Sequence, residues 1–126
     1  MKVLITSNSF GKFDEAPRER MLDLGWELLD NRYHHIMSEE EMMNEVPGVD
    51  AIILGSDIVS KRVLDKADKL KIISRYGVGI DNIDTVEAEK RGIAVTVTKN
   101  CNTEAVADYT IALMLATLRH VCNVHS

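Results

Sequence analysis

The fold can be read outward from residues 70–84, which have the sequence LKIISRYGVGIDNID. The apolar run that ends at Ser74 is typical of a buried strand in a parallel sheet. Gly77 and Gly79 follow two residues apart, and glycine lets backbone N–H groups approach a small anion closely. A polar helix begins after Asp81. Strand, glycine turn and helix together predict an anion-binding turn at the carboxyl end of a strand.

The spacing of Gly77 and Gly79 matches the first two glycines of the dinucleotide motif G-x-G-x-x-G. The third glycine of that motif would fall at position 82, which is Asn82. Asp81 and Asp84 suit the positive end of a helix dipole, but they would repel a pyrophosphate. A turn whose amides hold a carboxylate therefore fits these residues better. A turn in which Gly77 and Gly79 only shape the chain is the alternative.

Composition restricts the class of partner. The 126 residues carry 15 Lys and Arg against 20 Asp and Glu, a net charge of -5, with no basic cluster. This balance argues against nucleic acid and anionic membranes as partners. The apolar runs are shorter than the roughly 20 residues that span a bilayer, and residues 1–5 resemble a strand more than a signal peptide. We therefore expect a cytoplasmic protein.

The cysteines and histidines predict no metal site. Cys101 and Cys122 have neither the number nor the spacing of a disulfide framework or a zinc site, so both are expected to be free thiols. His34 and His35 are adjacent in a polar loop without an evident third ligand. We interpret them as a surface pair.

Strands and helices alternate along the chain. Helix caps are expected at Ser38, with Glu41 as its capping-box partner, and at Asp84, with Glu87 in the same role. The pattern predicts an α/β domain with a five-stranded parallel sheet between helices. Strands are expected at 3–6, 26–29, 51–54, 72–74 and 93–97, and further helices at 16–24 and 61–67. Any site should use the loops at the strands' carboxyl ends: 7–11, 55–57, 76–81 and 98–102.

The last segment has a different pattern. Asn102 or Thr103 can cap a helix that runs to about Val121, and its apolar residues point in almost every direction around the axis. One small domain cannot easily bury such a helix. We expect residues 103–119 to pack against a second domain or another copy of the chain, which favours a homo-oligomer.

Three motifs in order carry a resemblance to a known family. They are R-x-G-x-G-x-DNID at 75–84, GIAV at 92–95 and NTEAVAD at 102–108. Together they resemble the D-isomer-specific 2-hydroxyacid dehydrogenases, with the phosphoglycerate-dehydrogenase-like members most similar. The resemblance covers essentially the whole chain, more loosely over residues 1–70. It implies a flavodoxin-like substrate-binding domain with strand order 2-1-3-4-5 and a long C-terminal helix.

The resemblance also implies roles for individual residues. Backbone amides at Val78 and Gly79, in the turn that Gly77 opens, would hold the carboxylate of a 2-hydroxy or 2-oxo acid. Asn102 would hydrogen-bond the substrate, although helix capping alone is an equal alternative. Val78 and Val106 would contact the nicotinamide of NAD. Arg75 and Asp81 would shape the loop.

Two differences from the family restrict what can be assigned. Lys99-Asn100-Cys101 stands where relatives often have Pro-Gly, so the conformation of that loop is open. Leu54 and Gly55 offer no arginine for a substrate phosphate, so 3-phosphoglycerate is only one candidate.

The glycine-rich NAD motif and the catalytic Arg, Glu and His of the family would follow the last helix. We therefore expect a substrate-binding domain at 1–101, an interdomain or dimerisation helix at 102–121, a chain end at 122–126 and no nucleotide-binding domain. No catalytic residue is assigned, NAD should not bind tightly to this chain alone, and the chain alone should not catalyse hydride transfer.

Two rival functions make different demands on the sequence. A stand-alone, non-catalytic module that dimerises through its last helix would have the same apolar pattern. A phospho-acceptor receiver domain needs an acidic cluster after the first strand, and Ser7-Asn8-Ser9 does not provide one.

Overall fold

A computed structural model describes residues 1–120. Five strands alternate with five helices: β1 (Lys2–Ile5), α1 (Ala16–Asp23), β2 (Glu27–Asp30), α2 (Glu39–Glu45), β3 (Ala51–Leu54), α3 (Lys61–Lys66), β4 (Ile72–Arg75), α4 (Thr85–Lys90), β5 (Ala94–Val97) and α5 (Thr103–Leu118). The strand bounds lie within one residue of the predicted ones. The predicted end of α5 at Val121 lies outside the described residues, as does Cys122.

All five strands are parallel, in the order β2-β1-β3-β4-β5. The predicted α/β fold and strand order are therefore confirmed. The order reverses at β1, which pairs with β2 on one side and with β3 on the other. Sites in open parallel sheets form outside the carboxyl ends of the strands near such a reversal.

The two faces of the sheet bury different residues because successive side chains in a strand point to opposite faces. Leu4, Ile52 and Ile73 belong to the main core, together with buried residues of α2, α3 and α4. Val3 and Ile5 point to the other face, where Phe10 and Trp26 pack against them. Helices α2, α3 and α4 cover one face of the sheet and α1 lies on the other, which is the predicted layered arrangement.

The predicted capping box forms completely at the start of α2, whereas at the start of α4 only one of its two hydrogen bonds forms. Ser38 and Glu41 form a reciprocal capping box that opens α2. Asp84 caps α4 by accepting the Glu87 backbone N–H at 3.0 Å. The Glu87 carboxylate does not return to Asp84, because the Asp84 N–H donates to the Val59 carbonyl at 2.9 Å; Glu87 accepts from Arg91 at 2.7 Å instead.

The last helix combines an apolar sequence with the absence of a buried residue, an absence that it shares with the more polar α1. None of its described residues is buried, and exposure among its large apolar side chains runs from 50% at Leu113 to 73% at Leu118. Over residues 1–120, no helix has the length and apolar character needed to cross a membrane.

Candidate functional site at the carboxyl ends of the strands

Three polar residues are buried within the described part of the chain, and all three lie at the carboxyl ends of strands. Thr6 follows β1, and its Oγ1 accepts the Gly55 backbone N–H at 2.7 Å. Asn31 follows β2, and its Nδ2 donates to the Thr6 carbonyl at 3.2 Å and the His35 carbonyl at 2.7 Å. Buried polar groups are retained when they are hydrogen-bonded. These side chains hold the loops after β1, β2 and β3 against each other.

The third buried residue, Asp57, extends this network to the glycine turn. Its Oδ1 accepts the Met37 N–H at 2.7 Å, which fixes the loop after β2 to the loop after β3. Asn82, from the glycine turn, donates Nδ2 to the Asp57 carbonyl at 2.6 Å. The Asn82 carbonyl in turn accepts the Val59 N–H at 2.8 Å. The position that the dinucleotide motif would give to a third glycine therefore serves to connect two loops.

Arg75 fixes the shape of the glycine turn from inside. Its Nε donates to the Gly79 carbonyl at 3.0 Å and its Nη1 to the Tyr76 carbonyl at 2.8 Å. Thr98 fixes the other side, because its N–H donates to the Gly77 carbonyl at 2.9 Å and its Oγ1 to the Arg75 carbonyl at 3.0 Å. The predicted loop-shaping role of Arg75 agrees with these contacts.

The turn presents unused donors at its tip. Among the hydrogen bonds of residues 1–120, none begins at the backbone N–H of Val78 or Gly79. Both residues are exposed, Val78 by 58%. Two adjacent free N–H groups on a fixed turn can bind one carboxylate, because an anion gains from preorganised amide donors.

Two clefts flank the turn, and Tyr76 lines both. The larger has a volume of about 460 Å³ and combines the loops after β1, β2, β3 and β4. It is lined by Thr6, Ser7, Asn8, Ser9, Lys12, His35, Ile36, Gly55, Ser56, Asp57, Arg75 and Tyr76. The smaller, of about 280 Å³, is lined by Tyr76, Gly77, Thr98, Cys101 and Asn102. The four loops expected to build a site therefore line two adjoining clefts.

The structure brings some of the proposed site residues together and separates others. Gly77 and Asn102 line the smaller cleft. Asn102 occupies the N-cap position of α5, but its side chain makes no capping hydrogen bond, so its amide is not used as a cap. Val78 and Val106 line neither of these two clefts, and Val106 is 54% exposed on the first turns of α5.

Sequence reasoning missed the contribution of the loop after β2. His35 and Ile36 from this loop line the larger cleft, beside Lys12 from the loop after β1. His35 Nε2 lies 3.1 Å from Glu41 Oε2. The Ser38 backbone N–H, with a smaller contribution from His35, holds the pKa of Glu41 below its ordinary value. The sequence signal that could have pointed to this loop is Asn31, a polar residue directly after β2. A polar side chain that is buried there must hydrogen-bond to neighbouring loops.

The sequence matches a known family over almost its full length. Residues 3–125 match the family described as D-isomer specific 2-hydroxyacid dehydrogenase, catalytic domain. The chain belongs to this family. Over 83 residues it is 48% identical to the glyoxylate reductase of Pyrococcus horikoshii, an alignment that covers 65% of this chain and 25% of the relative.

Solved structures agree with this assignment. The TT0316 protein of Thermus thermophilus superposes with a TM-score of 0.85 at 35% identity, over 98% of this chain and 38% of that one. The cofactor (NAD+)-bound 3-phosphoglycerate dehydrogenase of Entamoeba histolytica superposes with a TM-score of 0.80 at 25% identity, over 92% of this chain and 38% of that one. The chain thus spans about a quarter of the length of the glyoxylate reductase and under two fifths of these structures.

Proposed function

We propose that residues 1–101 form the substrate-binding domain of an NAD-dependent oxidoreductase that acts on the CH–OH group of a D-2-hydroxy acid. One observation carries the proposal: the backbone N–H groups of Val78 and Gly79 have no protein acceptor within residues 1–120, on a turn that Arg75 fixes from inside. Membership of the D-isomer specific 2-hydroxyacid dehydrogenase family supports the same reaction class.

In this proposal the two amides bind the carboxylate of the acid and so orient its C2 carbon. Preorganised donors on a fixed turn lose little entropy on binding, which is how a binding domain contributes to catalysis. Gly77 shapes the turn, and Asn102, whose amide does not cap α5, hydrogen-bonds the substrate across the smaller cleft.

NAD would supply hydride transfer at C2 when bound by the complete enzyme. The residues that would contact its nicotinamide are Val78 and Val106, whose side chains are both apolar and more than half exposed, as packing on a ring requires. The 126-residue chain tested by itself is expected to bind the acid without oxidising NADH.

Residues 102–121 are proposed as an interdomain or dimerisation helix, which gives a homo-oligomer through residues 103–119. The support is the exposure of every described residue of α5 to some degree, despite its apolar sequence. A stand-alone, non-catalytic dimerisation module has the same support from α5. It differs from the main proposal in having no use for free amides at the turn.

Titration of the ¹⁵N-labelled chain with glycolate tests the proposal. The amide resonances of Val78 and Gly79 should shift in a saturable manner, because a hydrogen bond to a carboxylate changes the environment of both N–H groups. Glycolamide, which has the same size but no negative charge, is the matched control and should cause a much smaller shift. Glyoxylate and 3-phosphoglycerate extend the series to acids named in relatives. If no acid perturbs these two amides more than glycolamide does, the chain is a pure interaction module.

A further inference from the structure

The sheet carries helices across one whole face but across only part of the other. On the second face, α1 packs mainly against β2, at the edge of the sheet. Beyond it, Ser74 on the interior strand β4 is exposed, as are Ala94 and Thr96 on β5. A parallel sheet is ordinarily buried on both faces, because its crossover helices cover them. Within residues 1–120, the half of this face over β3, β4 and β5 therefore lacks a covering layer.

This uncovered surface, which we name the open face, carries no charged side chain. It consists of Ile53, Ile72, Ser74, Ala94 and Thr96, which are neighbours in the register of β3, β4 and β5. The two isoleucines are partly exposed, because their other sides pack on the smaller hydrophobic cluster of the protein. The three remaining side chains are small, so a helix can approach the strands closely. An uncharged surface of this kind favours an apolar partner over water.

The last helix has properties that complement the open face. Between Asp108 and Arg119 it contains ten consecutive uncharged residues, 109–118. At 1.5 Å per residue this segment is about 15 Å long. A strand of four residues, as in β3, β4 and β5, is about 13 Å long. The uncharged part of α5 therefore matches the strands in length, and Asp108 and Arg119 would lie at the two ends of the contact.

The two threonines of this segment do not oppose its burial. Thr110 and Thr117 each donate Oγ1 to the carbonyl four residues earlier, at 2.7 Å and 2.8 Å. Both hydroxyl groups are thus hydrogen-bonded within the helix and can enter a dry interface at little cost. On the open face, Ser74 and Thr96 are neighbours on adjacent strands, so their hydroxyl groups can pair when water leaves.

The position of α5 favours a second copy of the chain as the source of the helix. None of the described residues of α5 is buried, so the helix does not cover its own sheet. It begins five residues after β5, which is the edge strand of the open face. In a two-fold pair, each α5 can therefore reach the open face of the other copy. Two such contacts would together bury on the order of 1,000 Å², the lower end of the range for specific interfaces.

We propose that the chain dimerises by reciprocal helix exchange, in which residues 109–118 of each copy cover the open face of the other. The inference rests on the proposed dimerisation helix and deepens it, because it names the surface that receives α5. Exchange removes the apolar helix and the open face from water together. A direct pairing of α5 with α5 would leave the open face exposed.

Thr96→Glu tests the receiving surface. A carboxylate at this exposed position is solvated in a single copy, whereas exchange would bury it beneath an apolar helix. The variant should be monomeric by light scattering at concentrations at which the unmodified chain is dimeric. Ala94→Lys repeats the test with the opposite charge, and circular dichroism checks that both variants fold. Val86→Glu, at a 63% exposed position on α4, is the matched control and should dimerise like the unmodified chain.

A mixture of two monomeric variants tests the exchange itself. The double variant Ile111→Glu, Leu115→Lys has an altered helix and an intact open face, and Thr96→Glu has the reverse. When the ¹⁵N-labelled double variant is titrated with unlabelled Thr96→Glu, the amide resonances of the open face should shift in a saturable manner, while those of α4 should not. The affinity should be at least about tenfold weaker than that of the unmodified dimer, because one contact of two remains. Neither variant should respond to added copies of itself.

Each outcome has a distinct meaning. If Thr96→Glu or Ala94→Lys dimerises like the unmodified chain, or if the mixture gives no shifts on the open face, exchange is overturned in favour of another pairing of α5, and the dimerisation helix stands. A monomeric unmodified chain overturns both the exchange and the dimerisation helix. The carboxylate turn at Val78 and Gly79 is tested separately by glycolate and does not depend on these results.

Discussion

Gly77 and Gly79 occupy the same turn, but the chain constrains them differently. Gly77 has a φ of 151°, and a Cβ there would lie 3.0 Å from Arg75 Nη1. Gly79 has no such backbone constraint, and a Cβ there would meet only Asp81 Oδ2 at 3.8 Å. The hypothesis that both glycines merely shape the turn therefore explains Gly77 alone. A glycine at 79 is understandable when something outside the chain must approach its backbone.

The two alanine substitutions separate these roles. Gly77→Ala should lower the free energy of unfolding by about 1–3 kcal/mol, because alanine avoids this φ and its methyl group would press on Arg75. Gly79→Ala should stay within about 0.5 kcal/mol of the unmodified chain. Urea denaturation followed by circular dichroism measures both. A loss of stability in Gly79→Ala equal to that in Gly77→Ala would mean that the turn needs both glycines for its own sake.

Arg75→Lys should impair acid binding more than stability. A lysine carries the same charge but cannot donate to the Gly79 and Tyr76 carbonyls with the planar geometry of a guanidinium, so the turn loses its internal support. We expect an about tenfold weaker affinity for glycolate with less than about 1 kcal/mol lost in unfolding free energy. Calorimetry and urea denaturation provide the two numbers.

The control for this substitution is Arg62→Lys, which alters an exposed arginine paired with Glu39 away from the turn. Unchanged glycolate affinity in Arg75→Lys would contradict the role of the guanidinium in presenting the amides.

For helices and strands, the sequence predicted the features that depend on residues close together in the chain. The Ser38 cap with Glu41, and the short apolar runs of the strands, gave bounds close to those observed. The interaction of Glu87 with Arg91, Lys61 and Lys90 could not be inferred from the capping pattern alone. The backbone N–H of Asp84 already donates to the Val59 carbonyl at 2.9 Å, so the Glu87 carboxylate pairs with the nearby cations instead.

Asp50 joins three strands at the amino edge of the sheet. Its Oδ2 accepts the Lys2 N–H at 2.9 Å, and its Oδ1 accepts from Lys71 Nζ at 2.8 Å, so the starts of β1, β3 and β4 meet at one carboxylate. The Lys71 ammonium, followed by the Lys2 N–H, holds the pKa of Asp50 below its ordinary value of 3.8.

A depressed pKa makes stability depend on pH in a defined direction. The contribution of Asp50 is complete above its ordinary value of 3.8 and is lost as the pH falls through the lower folded value. The urea midpoint of the unmodified chain should therefore fall between about pH 5 and about pH 2.5, and Asp50→Asn should start lower and fall less steeply. Asp23→Asn, at an exposed position on α1, controls for the substitution itself. Parallel pH profiles for Asp50→Asn and the unmodified chain would refute the linkage.

For the molecule as a whole, the sequence predicted which loops meet but not how they are held. Parallel strands bring their carboxyl ends to one edge, so the convergence of loops 7–11, 55–57, 76–81 and 98–102 follows from topology alone. The bridges through Asn31, Asp57 and Asn82 join residues 20 to 27 positions apart in the chain, except for the bond from Asn31 to His35. No local pattern specifies such distant pairs. The two clefts could therefore be identified only from the structure.

The exposure of the last helix, unlike the clefts, was predicted from the sequence alone, because one small domain cannot bury a helix that is apolar all round. The structure agrees: α5 has no buried residue, and seven of its large apolar side chains are at least half exposed. Apolar surface of this extent on one rod is typical of an interface. In a solution of this chain, a second copy is the surface available to cover it.

Light scattering coupled to size-exclusion chromatography should therefore find a dimer or larger species. The double variant Ile111→Glu, Leu115→Lys should be monomeric, because it removes two apolar side chains one turn apart while the new charges at i and i+4 support the helix. Glu104→Gln, Asp108→Asn, at the same spacing on the same helix, should associate like the unmodified chain. A monomer across a wide concentration range for the unmodified chain would show that an exposed apolar α5 is tolerated in water, and the proposal of a dimerisation helix would then fail.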